Sequence, residues 1–173
     1  SLRDMLIVAG LVQGKKAATG VSFGVSAGSR QVLEMIADNG ALLDIIKSGA
    51  RILESVCGFC IGAGQAPKSG GISIRTSNRN FKARSGTEDA GIYLVSPETA
   101  VASALTGKLT DPRELGILYP DIKMPSQFFI DDSLILEPAN DSTSVEIMRG
   151  PNIGQPPYSD AMPESITAVC ELK

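Results

Sequence analysis

The chain has 173 residues, 43% of them hydrophobic and 20% charged, with a formal net charge of −3 and no histidine. That length supports one substantial core and leaves two full domains cramped, and nearly balanced charge without a polybasic arm or acidic tail points to neither nucleic acid nor membrane as a partner. No apolar run approaches the roughly 20 residues needed to cross a bilayer, and the opening "SLRDMLIVAG" lacks the layout of a secretory signal, so a soluble cytoplasmic protein is expected.

In chain order, Leu2, Met5, Leu6, Ala9 and Val12 recur at helical spacing, with Ser1 as cap and Gly14 suited to the left-handed turn that ends a helix. "TGVSFGVSAGS" alternates Val21, Phe23 and Val25 with small or polar positions, the pattern of a strand. "SRQVLEMIADNG" predicts a second helix capped by Ser29 and stopped by Gly40, and "ALLDIIKSG" a short third one. "ARILESV" predicts a strand that delivers the chain to Cys57. "GISIRTS" and "GIYLVS" are β-branched runs of strand length, and Ser96-Pro97-Glu98 is a strong start for the helix "PETAVASALTG".

Alternating helices and strands predict an α/β fold: a three-layer α/β/α domain over 1–110, with a mainly parallel sheet that places ligands at the carboxyl ends of its strands. Beyond Thr110 the character changes, since eight of the ten prolines fall between Pro112 and Pro163. In this segment, 111–173, "DDSLILEPAND" predicts an edge strand, "RGPNIGQPPYSDAMPES" a proline-rich linker, and "SITAVCELK" the first strand of a further domain.

The chemistry concentrates in "ESVCGFCIGAGQ". Cys57 and Cys60 have the spacing of a thiol redox pair, but two glycines in the next four residues make a poor following helix. A closed zinc site needs four ligands, which a chain with no histidine and one distant further cysteine, Cys170, does not supply. Two buried small hydrophobes, or two ligands of an iron–sulfur cluster completed from a remote segment, remain open. Three cysteines do not make a disulfide framework and fit a reducing compartment. Downstream, "RTSNRNFKARSGTED" gathers Asn78, Arg79 and Arg84 at a predicted strand exit. Loop arginines are commonly solvated surface, but a planar guanidinium also matches carboxylates in bidentate fashion, which beside a metal loop suggests a polycarboxylate substrate.

"CGFCIG", then "TSNRNFKAR", then "YLVSPETAVASALTG", with "SAGSRQVLEMI" before and "EIMRGPNIGQPP" after, resemble the aconitase family of iron–sulfur hydro-lyases over essentially the whole chain. The resemblance implies that Cys57 and Cys60 are the second and third thiolates of a 4Fe–4S cluster. It implies that Asn78 packs beside the cluster and that Arg79 and Arg84 bind substrate carboxylates or shape their pocket. Three thiolates for four irons would leave one iron open as a Lewis acid, so that water leaves citrate and is re-added to give isocitrate through cis-aconitate.

The family's first cluster cysteine, its catalytic serine and its acid–histidine pairs match no position here. The chain therefore resembles the third domain of an aconitase, a fragment expected to be inactive and cluster-free alone, whose partners are a tricarboxylic acid and the other domains of its parent. Isopropylmalate and homoaconitate hydro-lyases share "TSNRNF" and form the nearest alternative, while an RNA-binding apo form and a thiol-redox domain are others. Cys57, Asn78, Arg79 and Arg84 are expected to converge at the carboxyl ends of parallel strands.

Overall fold

A computed structural model describes residues 1–146, 148, 150, 151, 161, 163–165 and 167. The chain divides into two compact units, Ser1–Asp132 and Ser133–Lys173.

The first unit is built around helix α1, Leu2–Val12. Ser1 and Asp4 form a capping box: the Ser1 hydroxyl accepts from the Asp4 amide at 3.4 Å, and the amine and hydroxyl of Ser1 both donate to the Asp4 carboxylate. The predicted apolar face is only part of what this helix buries. Leu2, Met5 and Ala9 are covered, and so are Ile7, Val8 and Leu11, because α1 packs on α2 (Arg30–Asp38), α3 (Ala41–Lys47) and α4 (Pro97–Thr106). The shared core adds Val25, Ala27, Ile36, Ala41, Ile45, Ala50 and Val101. Ile36 and Ile45 are fully buried, each contributing about 2–3 kcal/mol of transfer free energy as an upper bound.

The helices start where local chemistry says they should. Ser29 accepts from the Val32 amide at 3.2 Å and Ser96 from the Thr99 amide at 3.2 Å, with Pro97 at the first turn of α4. Gly107, at φ 79°, ends α4 in the left-handed conformation.

The α/β class and the parallel strands are as expected, with the strands divided between two pairs. Strand β1, Gly24–Ser26, pairs in parallel with β2, Arg51–Leu53, and β3, Ile72–Arg75, with β4, Gly91–Leu94. Helices α2 and α3 form the crossover between β1 and β2. Parallel pairing puts the carboxyl ends of both partners at one end, where the Ser26 hydroxyl donates to the Glu54 carbonyl at 2.8 Å.

The edge strand predicted in "DDSLILEPAND" does not form. Leu134, Ile135 and Leu136 are 70%, 68% and 91% exposed, and Pro138 offers no backbone donor, so the run has neither a buried face nor a ladder to join. In the second unit, Asp141 caps a 3₁₀ turn at Ser142–Ser144 through the Thr143 amide. Most of the predicted linker and nearly all of "SITAVCELK", Cys170 included, lie outside the described residues. Among those described, no helix is long and apolar enough to cross a membrane.

Candidate functional site

Strand β2 hands the chain to a tight loop. After Leu53 it turns through Gly58 into a 3₁₀ turn, Phe59–Ile61, and Gly62 closes that turn at φ 93°, donating to the Phe59 carbonyl at 2.9 Å. No α-helix follows the cysteines, as the two glycines foretold. Cys57 and Cys60 stand at either end of Gly58-Phe59 with their Cα atoms 5.8 Å apart, joined as a disulfide. A cavity of about 230 Å³ opens beside the loop, lined by Leu53, Glu54, Val56, Gly58, Phe59 and Ala63.

Three anchors hold this loop. On one side Arg51 donates to the Gly64 carbonyl at 2.7 Å and to the Gln65 side chain, whose amide in turn donates to the Ser22 carbonyl at 2.9 Å. On the other, Arg75 donates through Nη1 to the Cys60 carbonyl at 3.0 Å. The third anchor is steric. A Cβ on Gly62 would meet Ser85 Oγ at 2.7 Å, and one on Gly86, at φ 79°, would meet the Pro67 carbonyl at 2.8 Å. The cysteine loop and the segment after β3 are therefore pressed together through glycines.

Arg84 reaches this junction as a neighbour of Ser85. Its guanidinium carbon lies 5.7 Å from the centroid of the Phe81 ring, within cation–π range, while its Nε is buried with no protein hydrogen-bond partner. Ser85 is 1% exposed and its hydroxyl likewise has none. The residue before Arg84, Ala83, takes φ 62°, the sole non-glycine with positive φ among the described residues. Asn78 and Arg79 lie just past the end of β3, after Thr76 and Ser77, but are exposed, and the structure does not bring them into hydrogen-bonding contact with the cysteines. Buried polar atoms without partners concentrate in this segment, with Asn80 Oδ1 a third example.

Arg75 is the site residue that sequence reasoning passed over. It ends β3, is 6% exposed, and has no carboxylate partner among the described residues. Burial, and then the like charge of Arg84, pull its guanidinium below its ordinary basicity. The available signal was the alternation in "ISIR", which puts Ser73 and Arg75 on one face of the strand.

Two cysteine sulfurs at this spacing on one loop, near two arginines with no carboxylate partner among the described residues, suit part of a thiolate-ligated, anionic cluster. Among the described residues no group of three His, Cys, Asp or Glu side chains gathers, so these two sulfurs, once reduced, are a partial donor set.

A family model described as "Aconitase family (aconitate hydratase)" matches residues 1–107. Over 115 residues the chain is 44% identical to a mitochondrial homoaconitase of Debaryomyces hansenii, covering 66% of this chain and 17% of that protein. It is 43% identical over 115 residues to a homoaconitase large subunit of Thermus thermophilus, covering 66% and 28%. A 3-isopropylmalate dehydratase large subunit of Archaeoglobus fulgidus is 40% identical over 114 residues, covering 65% and 27%. The matched stretch spans less than a third of each relative.

Proposed function

The chain belongs to the aconitase family, and from that premise we propose that it is the cluster-binding part of a hydro-lyase that moves a hydroxyl between adjacent carbons of a hydroxy-polycarboxylate. The observation that carries this reading is the junction itself: a two-cysteine loop tied through Arg75 and Ser85 to the strand exit that presents Arg84. Homoaconitase and 3-isopropylmalate dehydratase are the names its relatives carry, so homoaconitate-type or isopropylmalate-type acids are the favoured substrates. Citrate, taken to isocitrate through cis-aconitate, is the second reading, supported by the aconitate hydratase description of the family.

In this role Cys57 and Cys60, reduced to thiolates, hold two positions of a 4Fe–4S cluster, and further ligands come from outside the described residues. When bound, such a cluster supplies a Lewis-acidic iron that polarises the departing hydroxyl. The protein's own contribution is placement. Arg84 offers a planar fork to one substrate carboxylate, with its ring contact to Phe81 fixing the plane. Arg79, exposed at the strand exit, is free to meet a second carboxylate, and Asn78 stands beside it.

The test is anaerobic purification of the parent-length protein, with visible absorption for the cluster and an assay of hydration on homoaconitate, isopropylmaleate and cis-aconitate. Cys57→Ser and Cys60→Ser are expected to lose cluster and activity, and Arg84→Lys about a hundredfold in kcat/KM. Full activity in the Cys57→Ser/Cys60→Ser double variant would refute the reading, and preference for cis-aconitate would reverse the order of substrates.

A further inference from the structure

Once the Cys57–Cys60 disulfide is reduced, the segment between the cysteines has little of its own to hold it. A 3₁₀ turn has poorer hydrogen-bond geometry than an α-helix, and glycines stand on both sides of it, at 58 and 62. Cys57 is exposed and Cys60 only half-buried, so packing does not fix them. Among the described residues, one hydrogen bond from outside the loop reaches the stretch 57–60: the Arg75 guanidinium on the Cys60 carbonyl. Arg75 can serve as an anchor because its Nε and Nη2 straddle the Ser73 hydroxyl at 3.3 and 3.2 Å, bracing the fork against a strand.

We infer that Arg75 is a positioning residue, which fixes where the Cys60 sulfur stands relative to Cys57. A lysine keeps the charge but, as a point donor on a flexible stem, cannot brace on Ser73 and hold the carbonyl with one planar group. The inference deepens the ligand role proposed above and rests on it for its meaning in the parent enzyme. Its test reads loop geometry without iron.

The chain as it stands is equilibrated in glutathione redox buffers at neutral pH. Each Cys57–Cys60 disulfide formed consumes one oxidised glutathione and releases two reduced ones, so the equilibrium constant measures how well the thiols are placed to meet. Arg75→Met is expected to lower it about tenfold, the size of one charge-assisted hydrogen bond, Ser73→Ala about threefold, and Arg75→Lys by an intermediate factor. Ile36→Val, which weakens the core away from the loop, is expected to leave it unchanged, separating positioning from general loss of stability.

An Arg75→Met constant equal to wild type, or an equal fall in Ile36→Val, overturns the proposal. If Arg75→Met does not fold, Arg75→Lys and Ser73→Ala decide by the same criterion, and wild-type values in both overturn it. A parent enzyme that binds no iron through these cysteines, alongside the expected shifts here, refutes the ligand role and leaves the positioning role standing.

Discussion

Gly62 and Ser85 meet so closely that a Cβ on the glycine would lie 2.7 Å from the serine hydroxyl oxygen and 3.1 Å from the Cβ of Ala66. The glycine also holds φ 93°, where an L side chain is strained. Gly62→Ala should therefore cost about 2–4 kcal/mol in urea unfolding, combining backbone strain with overpacking. Adding Ser85→Ala should recover only part, since the φ and the Ala66 contact persist. A cost below about 0.5 kcal/mol for the single variant would contradict this account.

Ala83 presents the opposite case, a side chain where glycine would be at ease. At φ 62° it bears left-handed strain directly before Arg84. Ala83→Gly is expected to stabilise the chain by about 0.5–1 kcal/mol despite the added freedom of the unfolded state. Thermal unfolding checks it, and a lowered midpoint would show that the loop does not pay that strain.

Ser96 caps α4, the helix that brings the fully buried Ala102 and the nearly buried Val101 into the core. Ser96→Ala should cost about 1 kcal/mol, and Ser96→Asp should retain most of the stability. Equal losses in both variants would mean that the cap bond contributes nothing.

A pH-dependent pair sits at the same helix start, where the Tyr119 hydroxyl donates to Glu98 Oε1 at 3.1 Å. Burial pushes the Glu98 carboxyl up, but its own backbone amide, the Ser96 hydroxyl and the Tyr119 hydroxyl outweigh it, and the net shift is downward. Desolvation and then Glu98 push the Tyr119 phenol up. For Glu98 the folded value lies below the unfolded one, so its contribution is complete above the ordinary glutamate range and is lost as pH falls through the folded value. For Tyr119 the folded value lies above, so the contribution is complete below the ordinary phenol range and is lost as pH rises through it. Tyr119→Phe should move the Glu98 titration upward in NMR, and an unmoved Glu98 would deny the contact a role.

The features that could be seen in the sequence are those whose cause is local. Ser1, Ser29 and Ser96-Pro97 announce helices because capping is settled within four residues. That the cysteine loop and the Arg84 segment each follow a strand was legible, but their meeting was not: β2 and β3 belong to different pairs, and the junction is made by the Gly62–Ser85 approach and the Arg75 bond to Cys60. Of Arg75 only its shared face with Ser73 was legible, because a strand-ending arginine reads the same whether solvent or a second loop lies beyond it. Its burial depends on where the β2 loop comes to rest. The extra buried face of α1 escaped notice for a similar reason: Ile7, Val8 and Leu11 are covered by helices remote in sequence. "DDSLILEPAND" misled in the other direction, because β propensity without a partner edge does not make a strand.

Because α1 is enclosed by α2, α3 and α4, its apolar sides have no shelter until those helices have been made. During synthesis α1 leaves the ribosome ahead of all three, and α4 emerges only when most of the first unit has been translated. At about 5–20 residues per second that leaves several seconds in which a nascent, oily helix waits for its last partner. The unit therefore closes late and from its far end, through contacts remote in sequence.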